Sequence, residues 1–125
     1  MRKHKIFIAC DTTNLAKVNK IIKESKTNKI KIGYKFGLEF MNSKNGRQFV
    51  SKLKKKIIFI DLKLNDTVNT MLSAVRALKD LKINYLTVHI SSGLSALKAV
   101  KKISGLTKVV GVTTLTSLDN RDLKL

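Results

Sequence analysis

The chain is poor in several residue types, and each shortage excludes a class of protein. Its 125 residues include no proline, no tryptophan and one cysteine, Cys10. A single cysteine cannot form an internal disulfide, which excludes a disulfide-stapled secreted domain and favours a reducing, cytoplasmic location. No apolar run approaches the roughly 18–20 residues that a membrane-spanning helix needs, so we expect no membrane partner.

Acidic residues are also scarce. The chain has only 8 Asp and Glu but 26 Lys and Arg, which gives a formal net charge of +18. Such a field attracts anions, including nucleic acids and phosphorylated metabolites. Nucleic-acid sites usually depend on Arg and on stacking aromatic residues, whereas most basic residues here are Lys and aromatic residues make up only 6%. We therefore expect no nucleic-acid partner, and keep a basic nucleic-acid-binding protein as an alternative.

Short apolar runs typical of strands alternate with segments of helical periodicity. The predicted strands are KIFIACD (5–11), KIKIGY (29–34), IIFIDLK (57–63), YLTVHIS (85–91) and KVVGVTTLT (108–116). The predicted helices are 13–25, 46–56, 66–81 and 93–104. This (βα)4β order is typical of parallel sheets whose strands are joined by crossover helices.

The positions of the polar residues favour a (β/α)8 TIM barrel over an open doubly wound α/β sheet. Polar residues lie at the carboxyl ends of the predicted strands, as at the rim where barrel enzymes build their sites. They are Asp11, Asp61 with Lys63, His89 with Ser91, and Thr116 with Ser117, and Lys31 lies late in the second strand. An open sheet binds mainly at one switch point, and no G-x-G-x-x-G or Walker A motif is present. A complete barrel needs about 200 residues or more. We therefore predict that residues 1–125 are the N-terminal part of a single (β/α)8-barrel domain.

The third predicted strand ends in charges that a core would not tolerate. Asp61 and Lys63 are two residues apart and point to the same side of the strand, and Asp66 follows in the next turn. We expect Lys31, late in the second strand, to reach the same rim. Alternating acids and lysines suit proton donation by Lys and electrostatic pressure by Asp on a bound anion.

Two other readings of these charges compete with a catalytic one. The cluster is also compatible with a surface salt-bridge network at a strand end. A metal site built from Asp61, Asp66 and His89 is disfavoured, because neighbouring lysines would oppose a bound cation.

FIDLKLNDTVNT (59–70) resembles the signature of the orotidine 5'-phosphate decarboxylase family, an Asp-x-Lys-x-x-Asp core followed by Asn-Thr. Four other segments resemble that family in order and spacing. They are IACDTT (8–13), KIGYKFGLEF (31–40), LTVHISSG (86–93) and GVTTLTSLD (111–119). The similarity spans the whole chain, but only the N-terminal part of the family.

The resemblance implies a carboxy-lyase that works as a homodimer without cofactor or metal. It would convert orotidine 5'-phosphate to UMP and CO₂, the last step of de novo UMP biosynthesis. Asp61 would face the substrate carboxylate, and Lys63 would protonate C6. Lys31 would bridge the ribose hydroxyl and the charged residues.

The resemblance also implies a set of substrate-binding residues. Asp11 would hold the ribose. Asp66 and Thr70 would cross the dimer interface into the partner's site, which makes Asp66 both catalytic and substrate-binding. Thr116 and Ser117 would contact the pyrimidine.

A hexulose-6-phosphate synthase-like aldolase of the same suprafamily is the nearest alternative. That branch shares Asp-x-Lys-x-x-Asp and uses Mg²⁺, but typically has Glu where this chain has Lys31. Lys31 and the Asn69-Thr70 pair therefore favour the decarboxylase.

In the family that the chain resembles, the residues that grip the substrate phosphate lie in later strands. Phosphate binding stabilises the transition state, so its loss lowers turnover as well as affinity. We predict that residues 1–125 alone are very weakly active or inactive on orotidine 5'-phosphate. A turnover rate comparable to that of a full-length family member, measured by the loss of substrate absorbance, would contradict this prediction.

Overall fold

The computed structural model describes residues 4–124, which form a five-stranded parallel sheet. The strands are β1 (Lys5–Ala9), β2 (Lys31–Gly37), β3 (Ile57–Leu64), β4 (Tyr85–His89) and β5 (Lys108–Val112). The helices are α1 (Leu15–Glu24), α2 (Leu38–Asn42), α3 (Gly46–Lys52), α4 (Val68–Ala77) and α5 (Leu94–Ile103). The strands lie in the order β1-β2-β3-β4-β5, each parallel to the next. This order has no reversal, as in a barrel and unlike a doubly wound sheet.

The helices cover one face of the sheet and bury the main core there. In α1, Asn14 caps the first turn by accepting a hydrogen bond from the Lys17 backbone N–H, 3.1 Å away. Val18 and Ile22, four residues apart on one side of α1, are buried. The buried strand residues of the same cluster alternate along each strand, and include Tyr34 and Phe36, Ile58 and Ile60, and Leu86 and Val88. Alternate strand residues thus pack against the helices.

The opposite face carries an aromatic cluster of Phe7, Phe59 and Tyr85. The Phe7 ring lies edge-on to both others, with centroids 5.2 Å from Phe59 and 5.0 Å from Tyr85. Gly33 leaves room for Phe7, because a Cβ at Gly33 would come within 2.6 Å of the Phe7 ring. The side chains of Asp61 and Thr87 lie on this face too, two residues beyond Phe59 and Tyr85.

The predicted alternation of strands and helices is confirmed, but the helix α2 was not predicted and several boundaries were wrong. β2 begins at Lys31 and ends at Gly37, later than the predicted 29–34, and α2 follows it directly. β5 ends at Val112 instead of at residue 116, and β4 ends at His89. The predicted helix 66–81 corresponds to α4, which begins at Val68. The predicted helix 46–56 corresponds to α3, which ends at Lys52. No helix among residues 4–124 is both long and apolar enough to span a membrane.

Gly46, at the start of α3, should be intolerant of a side chain. A Cβ at this buried position would overlap the backbone oxygen of Phe40, only 1.7 Å away. We expect Gly46→Ala to lower the free energy of unfolding by about 1–3 kcal/mol, the usual range for overpacking. Gly37→Ala is the matched control, because its Cβ would meet only the Asp61 backbone oxygen at 3.9 Å. Equal stabilities of the two variants in urea unfolding would contradict this prediction.

Candidate active site

The carboxylate of Asp61 is the centre of the candidate site. The Lys35 ammonium lies 3.0 Å from Asp61 Oδ2, and the Lys63 ammonium lies 3.0 Å from Asp61 Oδ1. The Thr87 hydroxyl donates a third hydrogen bond to Asp61 Oδ1, at 2.9 Å. Neighbouring strands supply all four residues, so one carboxylate joins β2, β3 and β4.

Two opposing effects act on the Asp61 carboxyl. Its side chain is only 12% exposed, and this burial raises its pKa by penalising the charged form. Hydrogen bonds from Lys63, Lys35 and Thr87, together with the charge of Lys35, lower the pKa and outweigh burial. The net pKa of Asp61 lies below its ordinary value, so the carboxylate is ionised at neutral pH.

Lys63 occupies an irregular stretch of β3. Its φ is +47°, in the left-handed region that residues other than glycine seldom adopt. The β3–β4 register shifts between Ile60 and Leu64, where the strand bulges. On a regular strand a side chain two residues on would run roughly parallel to that of Asp61. Here the Lys63 ammonium turns back onto Asp61.

Lys31 is not part of this cluster, which corrects the sequence-based prediction. It is the first residue of β2, is exposed, and pairs in register with Lys5 at the start of β1. Lys35 lies four residues further on, roughly 13 Å away at about 3.3 Å per strand residue. Lys31 instead lines a cleft at the amino-terminal ends of the strands, with Lys29 and Lys56 among the other lining residues.

The misassignment has an identifiable origin in the sequence. The segment KIGYKFG (31–37) contains two Lys-x-Gly patterns, Lys31-Ile32-Gly33 and Lys35-Phe36-Gly37. The predicted strand, residues 29–34, includes Lys31 and ends before Lys35. Because Gly37 is paired with Asp61 in the parallel register, the second pattern supplies the Lys at the rim. Its position beside the strand's carboxyl end was the signal that sequence reasoning missed.

Asp11 lies just beyond the carboxyl end of β1, at the same end of the sheet as Asp61, and is exposed. The Cys10 backbone N–H donates to the Lys35 carbonyl at 2.9 Å, which aligns the end of β1 with the Lys35 region of β2. Cys10 itself is fully buried in the helix-side core. Burial and the charge of Asp11 raise the pKa of the Cys10 thiol to about 11, against a lowering effect of Lys35. The thiol is therefore protonated and inert at neutral pH.

Asp66 and Thr70 lie at the start of α4, exposed and outside the charged cluster. Asp66 Oδ1 accepts a hydrogen bond from the Thr67 backbone N–H at 2.6 Å, and Thr70 Oγ1 lies 3.1 Å from Thr67 Oγ1. Within residues 4–124 Asp66 forms no salt bridge with a lysine. The expectation that Asp66 alternates with the lysines in one array was therefore wrong for this single chain.

Thr116 and Ser117 lie in an exposed turn beyond the end of β5. The prediction that they end the fifth strand was wrong, because β5 stops at Val112. His89 does end β4, and its Nδ1 lies 2.6 Å from the Ser91 hydroxyl. Asp61, Asp66 and His89 are not gathered as ligands, since no group of three or more His, Cys, Asp or Glu that could hold a metal occurs in the described part of the chain.

The cluster offers a defined chemistry to an anion bound above it. It has two ammonium groups that can donate protons or stabilise negative charge, and a fixed carboxylate between them. Lys63 is more exposed than Lys35, with 39% against 28% of its side chain accessible. Lys63 is therefore the better placed of the two to reach a ligand.

Asp61 makes the stability of the fold depend on pH. Its folded-state pKa is depressed, so the ionised group stabilises the fold above the unfolded-state pKa of about 4. This contribution is lost as pH falls through the folded-state pKa. We expect the difference in unfolding free energy between the wild type and Asp61→Asn to shrink from pH 6 to pH 3 in urea unfolding. A difference that is constant over this interval would contradict the assignment.

Comparison with known proteins gives relatives over nearly the whole chain. An orotidine 5'-phosphate decarboxylase from Wolbachia sp. subsp. Brugia malayi is 41% identical over 94% of this chain and 53% of its own length. That of Fusobacterium nucleatum is 36% identical over 98% of this chain and 53% of its own length. The chain thus spans about half the length of these curated relatives.

A solved structure has the same fold. The crystal structure of orotidine 5'-phosphate decarboxylase from Lactobacillus acidophilus superimposes with a TM-score of 0.82 and 31% identity, over 96% of this chain and 57% of that one. The fold is therefore that of a (βα)4β portion of a (β/α)8 barrel, as the sequence predicted. A model of the orotidine 5'-phosphate decarboxylase / HUMPS family matches residues 4–125. With Asp61 and Lys63 of the Asp-x-Lys-x-x-Asp signature joined at a barrel rim, the chain belongs to the orotidine 5'-phosphate decarboxylase / HUMPS family.

Proposed function

We propose that this chain carries the proton-donating part of an orotidine 5'-phosphate decarboxylase. The reaction converts orotidine 5'-phosphate to UMP and CO₂, the last step of UMP biosynthesis, without a cofactor. The observation that carries the proposal is the Asp61 carboxylate held between two lysine ammonium groups at the carboxyl end of parallel strands. The names of the relatives from Wolbachia and Fusobacterium nucleatum support the same activity.

Asp61 raises the energy of the bound substrate. With the substrate carboxylate placed against it, two negative charges lie close together in a site partly shielded from water. This repulsion is relieved as the bond between C6 and the carboxylate breaks and CO₂ leaves. The ionised state of Asp61, which its depressed pKa supports, is what this role requires.

Lys63 completes the reaction. When CO₂ leaves, the electron pair of the broken bond stays on C6, and a fixed positive charge stabilises this developing carbanion. The Lys63 ammonium then donates a proton to C6 and is left neutral until it is reprotonated. Its position beside Asp61, and its greater exposure than Lys35, support this assignment.

Lys35 takes the role that sequence resemblance had given to Lys31. Its ammonium binds the Asp61 oxygen that Lys63 leaves free, which orients the carboxylate from the opposite side. From this position it bridges the ribose hydroxyl and the charged residues.

The remaining residues bind substrate or partner. Asp11 holds the ribose, and Thr116 and Ser117 contact the pyrimidine. Asp66 and Thr70 cross into the partner's site in a cytoplasmic homodimer. Their exposure at the head of α4, and the absence of a salt bridge to Asp66 within residues 4–124, support a role facing outward from this chain.

A hexulose-6-phosphate synthase-like aldolase is the second candidate, because the matching family model spans both branches. That branch typically has Glu in the position given to Lys31, and Lys35 now fills this position beside Asp61. A lysine here, together with the names of the relatives, favours the decarboxylase.

The decisive test compares three lysine variants in a complete barrel that contains residues 1–125. Lys63→Ala should abolish the loss of orotidine 5'-phosphate absorbance, because the proton donor is gone. Lys35→Ala should lower kcat by at least about a hundredfold, the lower end for loss of one electrostatic partner. Lys31→Ala is the matched control and should leave kcat within about twofold, because Lys31 lies at the amino-terminal end of β2, away from Asp61.

Two results would contradict the proposal. An active Lys63→Ala variant would remove Lys63 from the chemistry. A Lys31→Ala variant as impaired as Lys35→Ala would restore the sequence-based assignment. Formation of hexulose 6-phosphate from formaldehyde and ribulose 5-phosphate, without decarboxylation, would instead establish the aldolase.

A further inference from the structure

Thr87 stands opposite the bulge that carries Asp61 and Lys63. On the two sides of the register shift, Ile60 pairs with Leu86 and Leu64 pairs with Val88. Between these pairs β3 has Asp61, Leu62 and Lys63, whereas β4 has Thr87 alone. The extra residues of β3 cannot all be matched by the backbone of β4, so side chains must satisfy part of the ladder.

The Thr87 hydroxyl takes over this hydrogen bonding. It accepts a hydrogen bond from the Lys63 backbone N–H at 2.8 Å and donates one to Asp61 Oδ1 at 2.9 Å. A hydroxyl has one proton and two lone pairs, so both bonds can form together. Thr87 is 4% exposed, which leaves little room for water to replace either bond.

The bond to Lys63 matters because the Lys63 backbone is strained. A non-glycine residue with φ near +47° is seldom populated unless its surroundings hold it there. In this conformation the Lys63 side chain returns to Asp61, with its ammonium 3.0 Å from the Oδ1 atom that Thr87 also binds. One hydroxyl therefore contacts both the backbone of one charged residue and the carboxylate of the other.

We propose that Thr87 is a positioning residue that holds Asp61 and Lys63 in their mutual geometry. It orients the Asp61 carboxylate by donation and keeps the Lys63 backbone in its left-handed conformation by acceptance. The catalytic significance of this role rests on the proposed decarboxylase function. The positioning itself is a property of the folded chain.

The test compares three threonine variants of the chain, labelled for NMR. Thr87→Val keeps the shape of the side chain and removes both hydrogen bonds, and Thr87→Ser keeps the hydroxyl. Thr107→Val is the matched control, because its part-buried hydroxyl donates to the Ile83 carbonyl at 2.9 Å, away from the site. The readouts are the pKa of Asp61 from its ¹³C carboxyl shift and the hydrogen exchange rate of the Lys63 amide.

We expect Thr87→Val to raise the pKa of Asp61 by about one to two units, as for the loss of one hydrogen bond to the charged form. Exchange of the Lys63 amide should be about tenfold faster. Thr87→Ser should stay close to the wild type, and Thr107→Val should change neither quantity. Unchanged values in Thr87→Val, or equal changes in Thr107→Val, would overturn the proposal. A purely structural role would lower stability without a selective change in the pKa of Asp61.

If Thr87→Val does not fold, the wild type still decides the question. Its Lys63 amide should be protected from exchange although Lys63 lies in a bulge, and an unprotected amide would overturn the proposal. Neither readout requires turnover, so failure of the decarboxylase assay would leave the Thr87 result intact. In an active protein, Thr87→Val should lower kcat more than it raises KM, and Thr87→Ser should restore kcat.

Discussion

The structure of the site depends on one largely buried carboxylate that two ammonium groups hold ionised. Removing Asp61 from water disfavours its charge, and this penalty is offset only when hydrogen bonds and opposite charges lie close to it. Each partner comes through a different strand: Lys35 from β2, Lys63 from the bulge of β3 and Thr87 from β4. The consecutive parallel order of these strands is what brings the four side chains to one place.

Apolar side chains on both faces of the sheet support the Asp61 carboxylate. Phe59 and Tyr85 lie two residues before Asp61 and Thr87 on the same face, and both rings pack near Phe7. The other face of the strands is sealed by the helices, with Phe36, Ile60 and Val88 fully buried. The charged cluster therefore rests on apolar packing and opens in one direction. Ionic interactions beside such apolar packing are stronger than in open water, because the effective dielectric constant is lower.

Exposed polar residues outside this cluster supply the substrate and partner contacts of the proposed function. Asp11, Asp66, Thr70, Thr116 and Ser117 all follow the carboxyl ends of strands, but none contacts the Asp61 carboxylate. The protein thus separates two tasks. The side chains that would do the proposed chemistry are hydrogen-bonded to one another, whereas those proposed to contact ligand or partner are exposed.

The sequence by itself determined the class of fold, the order of the elements and the family. Alternation of apolar strands with amphipathic helices is a local property, because it depends on periodicity within each segment. The pairing of Asp61 with Lys63 could also be predicted, because the two residues lie two positions apart on one strand. Boundaries were less accessible: the second strand was placed early and the fifth was extended too far, since no proline and few glycines mark the ends of elements in this chain.

Only the tertiary structure decided which lysine of the second strand joins Asp61. Lys31 and Lys35 lie on the same face of β2 and both precede an x-Gly pair, so no local pattern separates them. The choice follows from the register between β2 and β3, in which Gly37 pairs with Asp61. The role of Thr87 was hidden for the same reason, because a bulge in β3 appears only when two strands are paired. Register is a relation between segments distant in sequence, and packing of the whole sheet sets it.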